Sequence, residues 1–202
     1  MTYKPKILAF AGSLRKDSYN KKLIKIACKG AKDAGAEVTY IDLIDYQMPV
    51  YNEDIETKDG LPDNAKKIKE LMWAHDGFLI SAPEYNSSIS GVLKNTIDWA
   101  SRNLTPDEVY LSCFIGKVAC IMSASPGNLG GLRGLVTVRS ILENINTMVL
   151  PDQKSISKAF EAFTPDGNLK DPKQQEGIIN LGKKLAETIA KLKSGALVAS
   201  SK

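Results

Sequence analysis

The sequence has few of the residues that hold metals or cross-link chains. It contains three cysteines and one histidine in 202 residues. Cys28, Cys113 and Cys120 lie far apart and include no Cys-x-x-Cys pair, so their spacing indicates neither a zinc site nor a disulfide framework. We therefore expect three buried, unreactive thiols in a reducing compartment, and no bound metal.

Long apolar segments and a strong charge imbalance are absent as well. The early apolar run from Ile7 to Ala11 is too short for the core of a signal peptide, and no later segment approaches the roughly 20 apolar residues of a membrane span. The net charge of +4 comes from 27 basic and 23 acidic residues in mixed order, which is not typical of nucleic-acid binding. These features predict a soluble, cytoplasmic protein whose partners are small molecules, without nucleic acid or membrane.

The sequence does contain a regular alternation of strand-like and helical patterns. Short apolar runs at 6–11, 37–42, 77–82, 117–123 and 147–150 are typical of strands covered on both faces of a parallel sheet. Amphipathic helical stripes occur at 23–31, 68–72, 89–100, 132–142 and 178–192. Because crossovers are right-handed, these helices lie on both faces of the sheet. The pattern predicts an α/β fold: a three-layer, flavodoxin-like doubly wound domain over 1–193, with a five-stranded parallel sheet in the order 2-1-3-4-5 and a disordered tail at 194–202.

The motifs of several enzyme classes are missing. Leu14 stands at the second glycine position of a Gly-x-Gly-x-x-Gly fingerprint, and no Gly-Lys-Ser/Thr loop or Gly-x-Ser-x-Gly elbow follows a strand. His75 ends the second helical stripe just before the third strand, which places it at the amino edge of the sheet. Glu84 lacks the second carboxylate of a glycosidase pair. We predict no catalytic side chain, and chemistry supplied by a cofactor.

Ligands of open α/β sheets bind beyond the carboxyl ends of the strands, where three loops are of interest. The loop after the first strand contains Ser13, Arg15, Ser18 and Asn20 and leads into a helix. Hydroxyls, a carboxamide, a guanidinium and free helix amides match a phosphate in charge and in hydrogen-bond direction. Only four of the 27 basic residues are arginines, which makes the position of Arg15 informative. An ordinary helix start capped by Ser18 or Asp17 is the alternative.

The loops after the third and fourth strands face the same crevice. The third-strand loop offers Pro83, the aromatic face of Tyr85 and the amides near Asn86, which suit a flat heterocycle with polar edges. The fourth-strand loop contains Ser125 and three glycines, and such a loop can pass close to a planar ligand. For each of these loops a generic turn is the alternative interpretation.

Together these segments resemble the NADPH-dependent FMN reductase family, which includes quinone, chromate and azo-dye reductases. The resemblance extends from about Lys6 to Leu142. The loop after the first strand is similar to the family's phosphate loop, and the loop after the third strand, with its following helix, is similar to the flavin loop. The resemblance implies that the FMN phosphate is held by Ser13, Arg15, Ser18 and Asn20, and that the isoalloxazine ring is lined by Pro83, Glu84, Tyr85, Asn86 and Ser125.

Two positions depart from the family pattern. Asp17 stands where the family usually has a small residue, and places a carboxylate near a phosphate of about −1.5 to −2 charge. We expect Asp17 to point outward or to cap the first helix. Ser90 replaces a frequent proline, and we expect this change to have little effect.

The resemblance also implies an activity and an assembly. NADPH or NADH would deliver hydride to FMN, and a quinone or another small acceptor would then take the electrons, in a ping-pong order. A monomer would leave three apolar residues partly exposed to solvent: Met48, Val50 and Tyr51. We therefore expect a homodimer that can pair into a homotetramer. Trp99 and the exposed side of its helix are candidate contacts. The alternative is that these residues fold back onto their own subunit.

Two other functions stay open at this point. A flavodoxin-type electron carrier shares the fold but has no NAD(P)H oxidation of its own. A dehydrogenase that binds a nicotinamide dinucleotide would use Asp42, at the end of the second strand, to bind the ribose. A flavin spectrum and steady-state NAD(P)H oxidation separate these alternatives from a flavin-dependent reductase.

Overall fold

The computed structural model describes residues 3–199, in which strands and helices alternate as the sequence predicts. The strands in chain order are β1 (Lys6–Ala11), β2 (Glu37–Asp42), β3 (Gly77–Ser81), β4 (Glu84–Tyr85), β5 (Ser88–Ile89), β6 (Val118–Ala124) and β7 (Met148–Ile156). The helices are α1 (Tyr19–Asp33), α2 (Glu53–Asp59), α3 (Asp63–Ala74), α4 (Gly91–Ala100), α5 (Leu132–Asn144), α6 (Ala159–Ala162) and α7 (Pro172–Ala199). A short 3₁₀ turn covers Leu43–Tyr46.

The main sheet has five parallel strands in the order β2-β1-β3-β6-β7. This confirms the predicted order and the flavodoxin-like class. Every residue of β3 and β6 is buried, which explains why these runs are continuously apolar. The loops after β1, β3 and β6 therefore emerge next to one another at the carboxyl edge.

Two hydrophobic cores, one on each face of the sheet, hold the helices in place. On one face α1 and α7 pack against the sheet through residues such as Ile24 and Leu185. On the other face α3, α4 and α5 contribute residues such as Met72, Leu93 and Leu135. Within residues 3–199, no helix is both long and apolar enough to cross a membrane.

Several local features differ from the expectations. The strand β7 continues to Ile156, because a register shift against β6 between Ala119 and Ile121 lets the pairing go on past the predicted end. The sequence did not predict α2, α6 or the hairpin of β4 and β5. Helix α7 extends to Ala199, past the start of the tail that the sequence predicts at 194. Residues 200–202 lie outside the described part of the chain.

Trp99, a candidate contact between subunits, lies in the core of its own subunit. Trp99 is fully buried and packs against Leu61, Ala65 and Tyr51, while its indole Nε1 donates to the carbonyl oxygen of Pro49 at 2.8 Å. The segment between β2 and α3 folds over α4 to cover it. Trp99 is therefore a core residue of its own subunit.

The three cysteines are free and buried, as predicted. Burial raises the pKa of Cys28 to about 11 and that of Cys120 to about 12, and it also raises the pKa of Cys113. Thiols in such surroundings remain protonated and are poor nucleophiles.

Candidate functional site

Three loops meet at the carboxyl edge of the sheet and enclose a small cleft of 70 Å³. Eight of the nine predicted site residues line it; Asn86 is the exception. Tyr19, Ala124 and Pro126 also line it, although the sequence analysis did not assign them to the site. Pockets that enclose a drug-sized ligand have about 300–1,000 Å³, so this cleft has room for one small group and not for a whole heterocycle.

The loop between β1 and α1 forms the most polar wall of the cleft. Ser13 and Ser18 are buried, and the hydroxyl of Ser13 accepts a hydrogen bond from the backbone amide of Arg15 at 3.3 Å. The first helix amides of α1 have no partner within the helix, and Ser18 makes no side-chain capping bond to them. Asp17 is exposed, as expected, so the ordinary capped helix start is not what the structure shows.

The guanidinium of Arg15 is available at the mouth of this loop. Arg15 is exposed and makes no ion pair within residues 3–199. Its guanidinium carbon lies 6.0 Å from the centre of the Tyr19 ring, which in turn stacks on Phe163 at 5.8 Å. A cation that rests on an aromatic face and has no carboxylate partner is suited to bind an incoming anion.

The side chain of Asn20 is hydrogen-bonded to the ends of two strands. Its Nδ2 donates to the carbonyl oxygen of Ala124 at 2.8 Å, and its Oδ1 accepts from the amide of Ala124 at 3.0 Å and from the hydroxyl of Ser81 at 2.8 Å. These bonds are buried and satisfy most of the capacity of the amide group. Asn20 thus joins α1 to the ends of β3 and β6.

The loop after β3 is a two-residue hairpin that stands beside the cleft. Glu84 pairs with Ile89 and Tyr85 with Ser88, and the two turn residues have positive φ angles, 51° at Asn86 and 65° at Ser87. This turn geometry matches the twist of a tight hairpin, and asparagine tolerates it well. Tyr85 is half-exposed at the rim, while Asn86 is at the tip of the turn, outside the cleft.

The carboxylate of Glu84 fastens this hairpin to the start of α5. It accepts from the backbone amides of Arg133 at 3.0 Å and Gly134 at 3.3 Å, and from Arg133 Nε at 2.7 Å. Burial alone would raise the pKa of Glu84, but the bonds from Arg133 and Gly134 outweigh this effect and hold the pKa below its ordinary value. Glu84 is therefore an ionised anchor in the wall of the cleft.

Ser90 connects the phosphate-loop side of the cleft with the hairpin side. Its hydroxyl donates to the carbonyl oxygen of Gly12 at 2.6 Å and accepts from the amide of Leu93 at 3.3 Å, where it caps α4. A Cβ on Gly12 would come within 2.8 Å of Leu93 Cβ, which explains the glycine at this close approach. A proline at this position could make neither bond.

The loop after β6 contributes Ser125 and needs glycine for its backbone. Gly131 has φ 92°, and a Cβ there would lie 2.0 Å from the hydroxyl oxygen of Ser123. The hydroxyl of Ser125 accepts from the amide of Gly127 at 3.3 Å, and its backbone amide donates to Ile156 in β7. The loop is thus held close to the sheet edge and exposes the Ser125 side chain to the cleft.

His75 and Asp42, the candidate residues of a hydrolase and of a dehydrogenase, have structural roles. His75 is buried at the end of α3, where its ring nitrogens lie 2.6 Å from the carbonyl oxygen of Leu71 and 2.8 Å from the hydroxyl of Thr39. Asp42 forms an ion pair with Lys21 at 2.7 Å and accepts from the amide of Ile44. The carboxylate that a dehydrogenase would use to bind ribose is therefore already occupied.

The fold and the cleft define a flavodoxin-like α/β protein with a cleft at the switch point of its sheet. The model of the NADPH-dependent FMN reductase family matches residues 5–161. This chain belongs to that family.

Curated relatives and solved structures agree with this assignment. The chain is 37% identical over 172 residues to an NAD(P)H-dependent FMN reductase of Pseudomonas aeruginosa, covering 85% of this chain and 88% of that protein. It is 35% identical over 176 residues to a probable NADPH:quinone oxidoreductase of Oryza sativa, covering 85% and 82% of the two chains. FerB, a flavoenzyme NAD(P)H:(acceptor) oxidoreductase from Paracoccus denitrificans, superimposes with a TM-score of 0.74 and 27% identity over 93% of this chain and 98% of its own.

Proposed function

We propose that this protein is an FMN-dependent oxidoreductase that takes hydride from NADPH or NADH and reduces quinones or other small acceptors. One observation carries the proposal most directly. At the family's phosphate loop, the amides at the start of α1 have no side-chain cap from Ser18. They lie beside the buried Ser13 and Ser18 and beside Arg15, which has no ion-pair partner among residues 3–199. A phosphate would complete this arrangement, since helix amides, hydroxyls and a guanidinium all donate to it.

The residues of the cleft fit the phosphate end of FMN and leave its ring outside. The cleft has 70 Å³, so the ring would rest against Pro83, Tyr85 and Ser125 at the rim. One ring face would then remain accessible from solvent. An open face explains how a small acceptor of varied shape could approach without dedicated side chains.

The described side chains position the cofactor and do not act as acids or bases. FMN, when bound, supplies the hydride and electron transfer chemistry. Asn20 acts as a positioning residue, because its amide holds α1 against β3 and β6. Glu84 likewise holds the hairpin that presents Tyr85 and Asn86. Donor and acceptor would use the same open face in turn, which is a ping-pong order.

A visible spectrum of the purified protein, followed by anaerobic titration with NADPH and with NADH, tests the proposal. We expect a yellow protein, or one that becomes yellow after FMN is added and free dye is removed, and bleaching by at least one nicotinamide. A protein that stays colourless would overturn it. A flavin that neither nicotinamide bleaches would favour the electron-carrier alternative.

We also propose that two copies form a homodimer, which can pair again into a tetramer. A cavity of 250 Å³ lies between the segment after β2 and α4, and its wall includes Leu14 from the phosphate loop, Met48 and Val50. Val50 is 82% exposed, so this apolar side chain has no cover in a single subunit. Tyr51, by contrast, is partly buried and packs edge-on against Trp99 of its own subunit.

Two further proposals concern the domain and its location. We propose that 1–193 form one FMN-binding domain, because the buried residues of α7 continue as far as Ile189. We propose a cytoplasmic location, because three buried free thiols suit a reducing compartment.

A further inference from the structure

Helix α1 carries an excess of positive charge. Helix α1 carries one aspartate, Asp33, and five lysines, a net charge of +4 that equals the formal net charge of all 202 residues. The lysines are Lys21, Lys22, Lys25, Lys29 and Lys32. Lys21 is neutralised by Asp42. Asp42 therefore does not neutralise the other four lysines of α1.

Three of these lysines share one face of α1 and border a second cavity. Lys22, Lys25 and Lys29 follow one another at spacings of three and four residues, which places them on one side of a helix. None of the three has a carboxylate partner within residues 3–199. Like charges so arranged repel one another, and this destabilises the helix unless an anion compensates them.

The cavity beside them has 320 Å³ and lies between α1 and the turn 165–168, with the start of α7 behind it. Opposite the lysines, the wall contains Pro165, Gly167 and two amide side chains, those of Asn168 and Gln175, which are hydrogen-bonded to each other at 3.1 Å. Asp166 is the one carboxylate in this wall, and it accepts from Asn168 Nδ2 at 2.5 Å. The lining thus keeps a net charge of +2, with neutral polar groups facing the ammonium groups.

We propose that this cavity is a second anion site, which binds a phosphate-bearing small molecule separately from the cleft. Two ammonium groups also contact aromatic rings: Lys22 Nζ lies 5.9 Å from the ring centre of Tyr19, and Lys25 Nζ 5.6 Å from that of Tyr40. Because Tyr19 also lines the cleft, the two sites are neighbours along α1. Lys25 lies six residues beyond Tyr19, which is about 9 Å along the helix.

Two sources could supply the phosphate: the 2′-phosphate of NADPH, or a separate polyanion such as pyrophosphate. The first source rests on the proposed function, since it requires the nicotinamide donor to reach along α1 from the flavin. The anion site itself does not depend on flavin chemistry. Its failure and the failure of FMN binding are therefore separate results.

Calorimetric titration with pyrophosphate, in the presence of saturating FMN, tests the site. We expect one saturable site per chain below about 1 mM, weakened by higher salt. A variant carrying Lys22→Gln, Lys25→Gln and Lys29→Gln should bind about tenfold more weakly. The matched control, which carries Lys58→Gln, Lys67→Gln and Lys191→Gln, loses the same charge elsewhere and should bind like the parent protein.

Kinetics with the two nicotinamides then identify the source of the anion. If the 2′-phosphate occupies the cavity, the triple variant raises KM for NADPH about tenfold and leaves KM for NADH unchanged. If a separate polyanion occupies it, the triple variant binds pyrophosphate about tenfold more weakly while both KM values stay the same. The proposal is overturned if pyrophosphate does not saturate, if FMN displaces it, or if the triple variant and the control bind it equally.

Discussion

The side-chain amide of Asn20 pairs with the backbone of Ala124 as a neighbouring strand would. Asn20 Nδ2 donates to the carbonyl oxygen of Ala124, and Asn20 Oδ1 accepts from its amide, at 2.8 and 3.0 Å. The same Oδ1 accepts from the hydroxyl of Ser81. A residue in the first turn of α1 thereby fixes the carboxyl ends of two central strands, and with them the loops that form the cleft.

Replacing Asn20 should therefore affect stability as well as the cleft. Asn20→Ala leaves the backbone of Ala124 without its side-chain partner, and we expect the free energy of unfolding to fall by about 2–4 kcal/mol. Urea denaturation measures this change. Ser81→Ala, which removes one of the three bonds, should cost about 1 kcal/mol. If Asn20→Ala weakens FMN binding but leaves stability unchanged, Asn20 contacts the phosphate directly and is not a positioning residue.

The sheet and the crevice follow from the sequence pattern, whereas the buried hydrogen bonds of Asn20 do not. The sheet order could be predicted because strands covered on both faces must be continuously apolar. The crevice could be predicted because that order places three polar loops at one edge. The residue type of Asn20 shows its hydrogen-bonding capacity, but not which distant backbone groups use that capacity.

The β4–β5 hairpin and the burial of Trp99 could not be predicted from the sequence, because the hairpin strands are short and the packing around Trp99 is long-range. The strands of the β4–β5 hairpin have two residues each, too few for an alternating pattern to be visible. Trp99 is buried by Leu61 and Ala65, which come from a segment more than thirty residues earlier in the chain. Such contacts depend on how that segment returns over α4, which no local pattern records.

Arg15 should distinguish FMN from riboflavin. If its guanidinium binds the phosphate, Arg15→Ala removes a charge-assisted bond of about 1.5–3 kcal/mol, which weakens FMN binding roughly 10-fold to 150-fold. Riboflavin, which has no phosphate, should bind almost as before. Fluorescence titration of apoprotein with both ligands measures the effect, with Lys67→Ala as a remote control. Equal losses for the two ligands would mean that Arg15 acts on the fold or on the ring.

The anchor formed by Glu84 should make stability depend on acid pH. Its pKa is depressed in the folded state, so its contribution is complete above the unfolded pKa of about 4.3 and is lost as the pH falls through the folded value. At neutral pH, Glu84→Gln should lower the free energy of unfolding by about 1–3 kcal/mol. We expect this difference from the parent protein to shrink below about pH 4.

Urea denaturation at several pH values measures the Glu84 effect. Arg133→Met is the matched control, because it removes a half-exposed guanidinium but keeps the backbone amides of Arg133 and Gly134. Arg133→Met should lower the free energy of unfolding by less than Glu84→Gln does. A difference between parent and Glu84→Gln that stays constant down to about pH 3 would contradict the role of the ionised carboxylate.

The three thiols should be unreactive until the chain unfolds. Burial raises the pKa of Cys28 to about 11 and that of Cys120 to about 12, so almost no thiolate is present in the folded protein near neutral pH. A disulfide reagent should label no cysteine quickly in buffer, and all three in denaturant. Rapid labelling of a thiol in the folded protein would contradict its burial.

Ionisation of the same thiols should lower the stability of the folded protein at alkaline pH. Because their folded pKa values are raised, the stability they contribute is fully present below the unfolded value of about 8.5 and falls as the pH rises toward the folded values. Thermal unfolding between about pH 8 and pH 10 should show a decline in Tm. Cys120→Ala should reduce the slope of that decline, which separates the thiol effect from the titration of lysines and tyrosines.

The exposed Val50 tests the proposed dimer. Val50 is 82% exposed beside the cavity that Leu14 and Met48 also line, so a second subunit that covers this region should exclude an aspartate there. We expect the parent protein to sediment at about twice 22.0 kDa and Val50→Asp to sediment as a monomer with weaker FMN binding and lower reductase activity. Val109→Asp is the matched control, because Val109 is 69% exposed in the loop before β6, at the opposite edge of the sheet.

Dilution decides whether the dimer matters for the site. If the second subunit shelters the flavin, activity should fall together with dimer dissociation, and Val109→Asp should behave like the parent protein. A parent protein that sediments at 22.0 kDa at micromolar concentration, while it retains FMN and full activity, would refute the shared site. In that case the exposed Val50 would be an isolated surface residue, and the cleft of one subunit would be sufficient for the reaction.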